Sequence, residues 1–390
     1  MITNRLSSQE ITIDKTENNA MRSSNKQRNR KIFTKIILVM ISVLFSLFSA
    51  EIVLRYYYFG KLSIANKTSA VRFIRYDEQL GWSPIPNSEG YFSNPRQGYN
   101  AYVKYDENGI RLNDNSFERE GKSILIVGDS VTAGLEVDND KTYSAVLERL
   151  FYQNGCKYRV YNAGVLGYGT DQSLWNMERL IDIIKPEYVI YMSTSNDFLN
   201  NRTIKQPNGN LGKPVFVLNN EELNLMNRPS EIFETSYYAF VEYDVHGYKI
   251  SEGHINETLG SIWKFVKNDL ALFYPLKSLN NYLQISPASR IEKKAIDQDF
   301  DILELILKRM KRGDIKLFFT SFPYEGEEAY IDDFMRISDK LGITYLNIFS
   351  YFTEEWKNYH WNNDRHWNEK GHLQAATALY ELLKPRLCKQ

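Results

Sequence analysis

The chain has 390 residues, 43% of them hydrophobic, and its 48 basic and 48 acidic side chains give a formal net charge of zero. This length and apolar content suffice for one large domain or two. A neutral chain lacks the excess positive charge with which proteins bind nucleic acid, so we expect no nucleic-acid partner.

The N-terminal sequence predicts a membrane anchor. Residues 1–30 are rich in Asn, Ser, Lys, Arg and Glu, and we expect them to form a disordered cytoplasmic tail. Residues 36–50 carry no charge, and together with 52–54 they are long enough to span a bilayer as a helix. We therefore place a transmembrane anchor at residues 31–59.

The residues that flank this segment predict its orientation. Lysine and arginine favour the cytoplasmic side of a membrane, and aromatic residues favour the interfaces. We expect a single-pass protein of the plasma membrane with its N-terminus in the cytoplasm. A cleaved signal peptide is disfavoured, because cleavage after Ala50 would put Phe48 at the −3 position, where a small residue is needed. A buried soluble helix is the remaining alternative. The basic flank consists of Lys26, Arg28, Arg30, Lys31 and Lys35, and the aromatic flank of Tyr56, Tyr57, Tyr58 and Phe59.

Residues 60–118 predict a small β-rich segment, called here the preface. Short strand-like stretches alternate with turns, and Asn108-Gly109 is a good hairpin turn. We expect the preface to pack against the domain that follows. Arg111 is interpreted as a solvated or structural arginine rather than as a site residue.

A buried parallel strand is predicted before Ser130. The apolar run from Ser123 to Val127 stops at Gly128-Asp129-Ser130, where a helix can begin. Ligands bind at this edge of open α/β sheets, so the Ser130 hydroxyl is well placed to act as a nucleophile. A helix N-cap is the alternative role for a serine at such a junction.

Strand and helix patterns alternate through residues 119–390, which predicts a parallel sheet between helices. Between about residues 200 and 295 the alternation breaks. A hairpin of Pro214–Leu218 and Glu222–Leu225 and later helical patterns predict an insertion that forms a lid or wall over the site. Its aromatic residues either stack on sugars or fill a small core. They are Tyr237, Tyr238, Phe240, Tyr243 and Tyr248.

Three further polar segments follow Ser130 in the chain. They are Asn162–Gly169 after the strand Tyr158–Tyr161, Ser195–Asp197 after the strand Tyr188–Met192, and Asp364–Asn368 near the C-terminus. In this order the four segments resemble the SGNH (GDSL-type) hydrolase family over about residues 120–386. The absence of a Gly-x-Ser-x-Gly motif around Ser130 argues against the other common serine-esterase fold.

The resemblance implies a three-layer α/β/α sandwich with a parallel sheet, flavodoxin-like in type, and four marker residues. These are Ser130, Gly167, Asn196 and His366. Ser130 would be the nucleophile, and His366 the base that takes its proton. The backbone N–H groups of Ser130 and Gly167 and the side-chain amide of Asn196 would form the oxyanion hole.

The histidine segment departs from the family pattern. The usual aspartate, three residues before the histidine, is replaced by Asn363, and Asp364 lies two residues before His366. An amide cannot stabilise imidazolium as a carboxylate does, so we expect Asp364 to orient His366 from a shifted turn. The Asp-x-His-Trp-Asn form is similar to that of alginate O-acetyltransferase-type members, which favours acyl transfer modestly.

Metal and disulfide chemistry are not expected. His360, His366 and His372 cluster, but their spacing does not put two ligands on one helical face, so we expect neither metal nor cofactor. Cys156 and Cys388 either pair or remain as small buried apolar residues, and we favour the second interpretation.

These features predict a membrane-anchored serine esterase that faces the outside of the cell. Its expected substrate is an acyl ester, in the first instance an acetyl ester, on an envelope glycan or lipid. One alternative is an O-acyltransferase that modifies a cell-surface polysaccharide with the same serine and histidine. The other is an inactive glycan-binding scaffold, against which the presence of all four marker residues argues.

Overall fold

The structure of the chain is a computed structural model that divides into two compact units. One unit comprises Met1–Ile64 and Ser261–Ser286, and the other Ala65–Gly260 and Pro287–Gln390. The residues that the structure describes are 30–53, 73–94, 97–117, 120–203, 211–219, 222–225, 240–243, 249–253, 293–313, 315–362 and 364–388.

The secondary structure alternates through the larger unit. The strands are β1 (Ile74–Asp77), β2 (Gly81–Pro84), β3 (Glu89–Asn94), β4 (Tyr99–Lys104), β5 (Lys122–Gly128), β6 (Tyr158–Gly164), β7 (Tyr188–Ser193), β8 (Phe216–Asn219), β9 (Glu222–Leu225), β10 (Phe240–Tyr243), β11 (Lys249–Gly253), β12 (Lys316–Ser321) and β13 (Thr344–Tyr345). The helices are α1 (Arg30–Val53), α2 (Ser130–Ala133), α3 (Tyr143–Gln153), α4 (Thr170–Ile184), α5 (Asn196–Arg202), α6 (Lys293–Met310), α7 (Ile331–Leu341) and α8 (Glu369–Leu387).

Helix α1 is the described part of the smaller unit. It has 24 residues and a mean hydropathy of 2.5 in its most apolar window, and its side chains are largely exposed. At 1.5 Å per residue it is about 36 Å long, enough to cross the roughly 30 Å hydrocarbon core of a bilayer. A signal sequence has the same length and composition. Of the predicted tail at 1–30, residue 30 begins α1, while residues 1–29 and the aromatic flank at 56–59 lie outside the described residues.

Five strands of the larger unit form one parallel sheet in the order β13-β12-β7-β5-β6. The side chains of β5 alternate between two apolar layers, as the pleat of a strand requires. Ile124 and Ile126 pack in the layer that contains α3 and α8, and Leu125 and Val127 pack in the layer that contains α4, α6 and α7. The predicted α/β/α sandwich with a parallel sheet is therefore confirmed.

The preface consists of two antiparallel hairpins, β1–β2 and β3–β4. Each contributes to an apolar cluster with a segment that follows a strand of the parallel sheet. One cluster contains Phe73, Val103, Tyr105, Ala133 and Leu135, and the other Leu80, Trp82, Val165 and Tyr168. The preface thus packs directly on the segments after β5 and β6, which carry the marker residues Ser130 and Gly167.

The insertion is only partly described. Strands β8 and β9 pair as the predicted hairpin, and β10 pairs with β11. Near its start the buried side chains of Lys213 and Asp171 form an ion pair, with 2.5 Å between Nζ and Oδ2. The predicted helical stretch at 262–283 and the side chains of the five aromatic residues lie outside the described residues.

The expectation that the cysteines stay unpaired is wrong. Cys156 and Cys388 form a disulfide, with 5.6 Å between their Cα atoms. Cys156 follows α3 and Cys388 follows α8, and these two helices pack against each other. Helix packing therefore brings together two cysteines that are 232 residues apart in the sequence.

The sequence predicts that residues 138–140 cap the helix that begins near Tyr143 and that the last helix stops at Pro385, and the structure differs at both ends. Thr142 caps α3, because its side chain accepts a hydrogen bond from the Ala145 backbone, whereas Asp138 precedes a short 3₁₀ turn. Helix α8 continues beyond Pro385 to Leu387. Proline lacks one backbone donor, and in the last turn of a helix that loss removes only a single bond.

Candidate active site

The carboxyl ends of β5, β6 and β7 bring three predicted site residues to one edge of the sheet. Ser130 begins α2 directly after β5, Gly167 lies in the loop after β6, and Asn196 begins α5 after β7. The loop before α8 supplies His366 to the same place. Such convergence is a property of parallel sheets, in which all strands end at the same edge.

Ser130, His366 and Asp364 form a continuous chain of hydrogen bonds. The Oγ of Ser130 lies 2.8 Å from Nε2 of His366. The Nδ1 of His366 lies 2.6 Å from Oδ1 of Asp364. A carboxylate at Nδ1 places the ring proton on that nitrogen, so the lone pair of Nε2 faces the serine hydroxyl. This arrangement allows imidazole to accept the Ser130 proton.

A tight turn places Asp364 next to the imidazole although only Arg365 separates the two residues. The Asp364 backbone N–H donates to the carbonyl of Trp361 at 3.1 Å. The Asp364 Oδ1 also accepts the backbone N–H of His366 at 3.1 Å. The same oxygen therefore caps the turn and contacts the ring. Asn363, at the family's usual aspartate position, lies outside the described residues.

The surrounding charges favour the protonated form of His366. Burial by itself lowers the pKa of His366, but the neighbouring carboxylates of Glu136 and Asp364 reverse this effect and raise it overall. Burial raises the pKa of Asp364, and the hydrogen bond and charge of His366 bring it below its usual range. The site thus stabilises an imidazolium–carboxylate pair, the state that forms when His366 takes a proton.

The three predicted oxyanion donors lie on the segments that follow β5, β6 and β7. Gly167 has φ of 76°, in the left-handed region that favours glycine. Among the described residues, neither its N–H nor that of Ser130 donates a hydrogen bond. The side-chain amide of Asn196 donates to Oδ2 of Asp129 at 3.0 Å. An amide has two N–H groups, so the second remains available to a substrate oxygen.

Asp129 organises the turn that carries Ser130, a role that the sequence did not indicate. Its Oδ1 accepts the backbone N–H of Val131 at 2.9 Å. Its Oδ2 accepts the hydroxyl of Thr194 at 2.9 Å and the amide of Asn196 at 3.0 Å. Asp129 therefore ties the segment after β7 to Ser130. Its place in the Gly-Asp-Ser motif was visible, but its partners were not.

Glu136 is the second residue that sequence reasoning missed. Its Oε1 lies 3.5 Å from Nδ1 of His366, and its side chain is only 3% exposed. Burial raises the pKa of Glu136 overall, although the charge of His366 acts in the opposite direction. A glutamate in the loop after α2 matches no catalytic motif. Its place beside His366 therefore becomes visible only in the folded structure.

Asp364 and His366 are hydrogen-bonded to each other, and together with Glu136 they form the group of the site that could hold a cation. Ligand atoms of Glu136, Asp364 and His366 lie within 4.8 Å of one another, a spacing that a cation can occupy. The ring nitrogen that such an ion would need is the Nδ1 already bonded to Asp364. His360 bonds the Trp356 carbonyl and His372 accepts from the Tyr143 backbone, so neither joins this group.

The preface contacts the loops that carry the site residues. The Trp82 indole donates to the Leu166 carbonyl at 2.9 Å, and the Tyr168 hydroxyl donates to the Trp82 carbonyl at 2.6 Å. These bonds hold the residues on either side of Gly167.

Arg111 is 2% exposed and donates to backbone carbonyls at the end of α2 and in the loop after it. It is a structural arginine, and the alternative of a solvated one is wrong.

Comparison with known proteins finds esterases. An arylesterase of Vibrio mimicus is 25% identical over 105 residues, which is 27% of this chain and 52% of that protein. Esterase TesA of Pseudomonas aeruginosa is 31% identical over 90 residues, 23% of this chain and 45% of that protein. The chain thus matches about half the length of these curated relatives. No protein-family profile matches it.

Solved structures of esterases align with most of the chain at low identity. A crystal structure of TesA has a TM-score of 0.38 at 14% identity and covers 68% of this chain and 99% of its own. A family 3 carbohydrate esterase of Clostridium thermocellum has a TM-score of 0.38 at 12% identity and covers 69% of this chain and 98% of its own.

Proposed function

We propose that this protein, a relative of SGNH-type (GDSL) esterases, is a membrane-anchored serine ester hydrolase that acts outside the cytoplasm. The observation that carries the proposal is the 2.8 Å contact between Ser130 Oγ and His366 Nε2, with Asp364 on the opposite ring nitrogen. A serine hydroxyl becomes a nucleophile when a base within this distance takes its proton.

The proposed reaction proceeds in two halves. His366 Nε2 takes the proton as Ser130 Oγ attacks the ester carbonyl carbon, and the carbonyl oxygen becomes an oxyanion. The tetrahedral intermediate then releases the alcohol, which leaves with the proton from His366, and the acyl group stays on Ser130. In the second half, His366 takes a proton from water, the hydroxide attacks the acyl-enzyme, and the acid departs as Ser130 regains its proton.

The oxyanion is stabilised in this proposal by the N–H groups of Ser130 and Gly167 and by Asn196. Donors fixed before the reaction need no reorganisation when the charge develops, which makes them effective. The bond from Asn196 to Asp129 supports this role, because it fixes the amide while leaving one N–H group unused.

We expect Asn196→Ala to lower kcat by about 10²–10³-fold with little change in KM, because the lost donor acts mainly in the transition state. Steady-state kinetics with p-nitrophenyl acetate and a thermal melt test this. Asn154→Ala, at an exposed asparagine after α3, is the matched control and should keep wild-type rates. A lower melting temperature with kcat preserved would instead give Asn196 a purely structural role.

The proposed location rests on the N-terminal half of the anchor and on the disulfide. Basic residues lie just before α1 and in its first two turns, which favours a cytoplasmic N-terminus. Disulfides such as Cys156–Cys388 persist mainly in oxidising compartments outside the cytoplasm. We propose a tail at 1–30, an anchor at 31–59, the preface at 60–118 and a catalytic domain at 119–390 with an insertion at about 200–295.

A cysteine scan tests this topology. In a background with Cys156→Ser and Cys388→Ser, Lys308→Cys on the exposed side of α6 should react with a membrane-impermeant maleimide on intact spheroplasts. Ser8→Cys, in the proposed cytoplasmic tail, should react only after lysis. Reaction of Lys308→Cys only after lysis would contradict the topology, and with it an envelope substrate.

The proposed substrate is an acyl ester, in the first instance an acetyl ester, on an envelope glycan or lipid. An esterase tethered to the outer surface of the plasma membrane meets these molecules, which supports the assignment. Purified full-length protein in detergent, incubated with p-nitrophenyl acetate, should release nitrophenol. Acetylated sugar formed on addition of oligosaccharide would identify an acyltransferase, and no turnover of either kind would contradict the proposal in favour of a scaffold.

A further inference from the structure

Two carboxylates, not one, lie beside the imidazole of His366. Asp364 contacts Nδ1 at 2.6 Å, and Glu136 Oε1 lies 3.5 Å from the same nitrogen. Glu136 Oε2 is buried and has no hydrogen-bond partner in the described part of the chain. A buried carboxylate oxygen without a hydrogen-bond donor is costly. The position of Glu136 beside a histidine that gains positive charge therefore calls for a functional explanation.

Arg111 of the preface holds the loop that carries Glu136. Its guanidinium donates to the carbonyls of Ala133 at 2.6 Å and Val137 at 2.5 Å, and to Oδ1 of Asn139 at 3.1 Å. These acceptors lie on both sides of Glu136 in the sequence. A planar guanidinium fixes several acceptors at once, so the loop has one conformation in which the carboxylate faces His366.

We propose that Glu136 is a positioning residue that acts on the catalytic base from the same side as Asp364 and stabilises the imidazolium of His366. This inference rests on the proposed function, because it assigns Glu136 a role in the Ser130–His366 reaction. The preface then has a part in catalysis, since its Arg111 determines where the second carboxylate lies.

The electrostatic setting allows the contribution of Glu136 to be isolated. The other titratable or charged groups that face His366 or Glu136 are Asp129, Asp364, Arg111, Tyr99, Tyr105, His360 and His372. Burial raises the pKa of both tyrosines and lowers that of both additional histidines, so these four stay neutral near pH 7. Removal of the Glu136 charge therefore leaves Asp129, Asp364 and Arg111 as the charged neighbours.

The experiment follows the ring nitrogens of His366 by NMR in ¹⁵N-histidine-labelled full-length protein in detergent. A carboxylate favours imidazolium, so Glu136→Gln should lower the pKa of His366 by about 1–3 units, the shift typical of a charge at this distance. Neutral His366 would then persist to lower pH. The acid limb of kcat/KM for p-nitrophenyl acetate should move to lower pH by the same amount.

Glu148→Gln is the matched control, because Glu148 is a fully buried glutamate that accepts hydrogen bonds from Asn113, Asn115 and the Val160 backbone. It should reduce thermal stability and leave the His366 titration unchanged. Glu136→Met removes the charge with a side chain of similar length and replaces Glu136→Gln if that variant does not fold. An unchanged His366 titration, or an equal shift in Glu148→Gln, would overturn the inference.

The NMR titration and the kinetics separate the two proposals. A shifted His366 titration in a protein without esterase activity would contradict the proposed function, while the electrostatic contact between Glu136 and His366 would stand. An active enzyme whose His366 titration and pH profile are the same in wild type and Glu136→Gln would contradict the role of Glu136 alone.

Discussion

Ser130→Ala is expected to lower kcat for p-nitrophenyl acetate by about 10⁶-fold, the loss seen when a serine protease loses its nucleophile. In the proposed reaction this hydroxyl attacks the substrate, and no other described hydroxyl lies within hydrogen-bonding distance of His366 Nε2. The side chain contributes little packing, since Ser130 is partly exposed at the start of α2. The variant should therefore melt close to the wild-type temperature.

Labelling with a serine-directed phosphonate tests the same assignment independently of turnover. The wild type should be modified at Ser130, and the alanine variant should not react. Ser173→Ala is the matched control, because it removes a buried hydroxyl on α4 that has no hydrogen-bond partner among the described residues. Its rate should equal that of the wild type. Substantial activity in Ser130→Ala, or a label on another residue, would refute the assignment.

Asp364→Asn is expected to lower kcat by up to about 10⁴-fold, as in a related triad in which the carboxylate was replaced by its amide. An amide at 364 neither carries the charge that stabilises imidazolium nor keeps the Nδ1 proton in place. Glu136, at 3.5 Å from Nδ1, lies farther than Asp364 at 2.6 Å and should limit this loss without removing it.

Kinetics and thermal melts of four variants distinguish chemistry from folding. Asp301→Asn, at an exposed aspartate on α6, is the matched control and should leave kcat unchanged. Asn363→Ala should cost little, and Asn363→Asp should be neutral or mildly activating. Near-normal rates in Asp364→Asn would make the enzyme a serine–histidine dyad and would remove Asp364 from the site.

Local patterns in the sequence predicted the parallel sheet, which the structure confirms, and indicated candidate site residues at its edge. The apolar run that ends at Gly128-Asp129-Ser130 predicted a buried parallel strand, because such a strand is apolar on both faces. The order of the polar segments after β5, β6 and β7 then predicted a common edge. The structure brings Ser130, His366 and Asp364 within hydrogen-bonding distance there.

Contacts between distant segments could not be predicted in the same way. No local pattern favoured a disulfide between Cys156 and Cys388, because their pairing follows from the packing of α3 on α8. Likewise, the predicted cap at Asp138 does not form, and Thr142 caps α3 instead. Both residue types can cap a helix, so the backbone conformation of the turn decides which of them does.

Hydrophobic periodicity and motif order by themselves determined the α/β/α class and indicated the candidate site residues, because these depend on neighbours in the chain. The tertiary structure alone decided which buried charges meet. Because the preface packs on the segment after β5, its Arg111 holds the loop that carries Glu136, and Glu136 faces His366. Charge interactions depend on distance through space, and that distance is set by packing between segments far apart in the sequence.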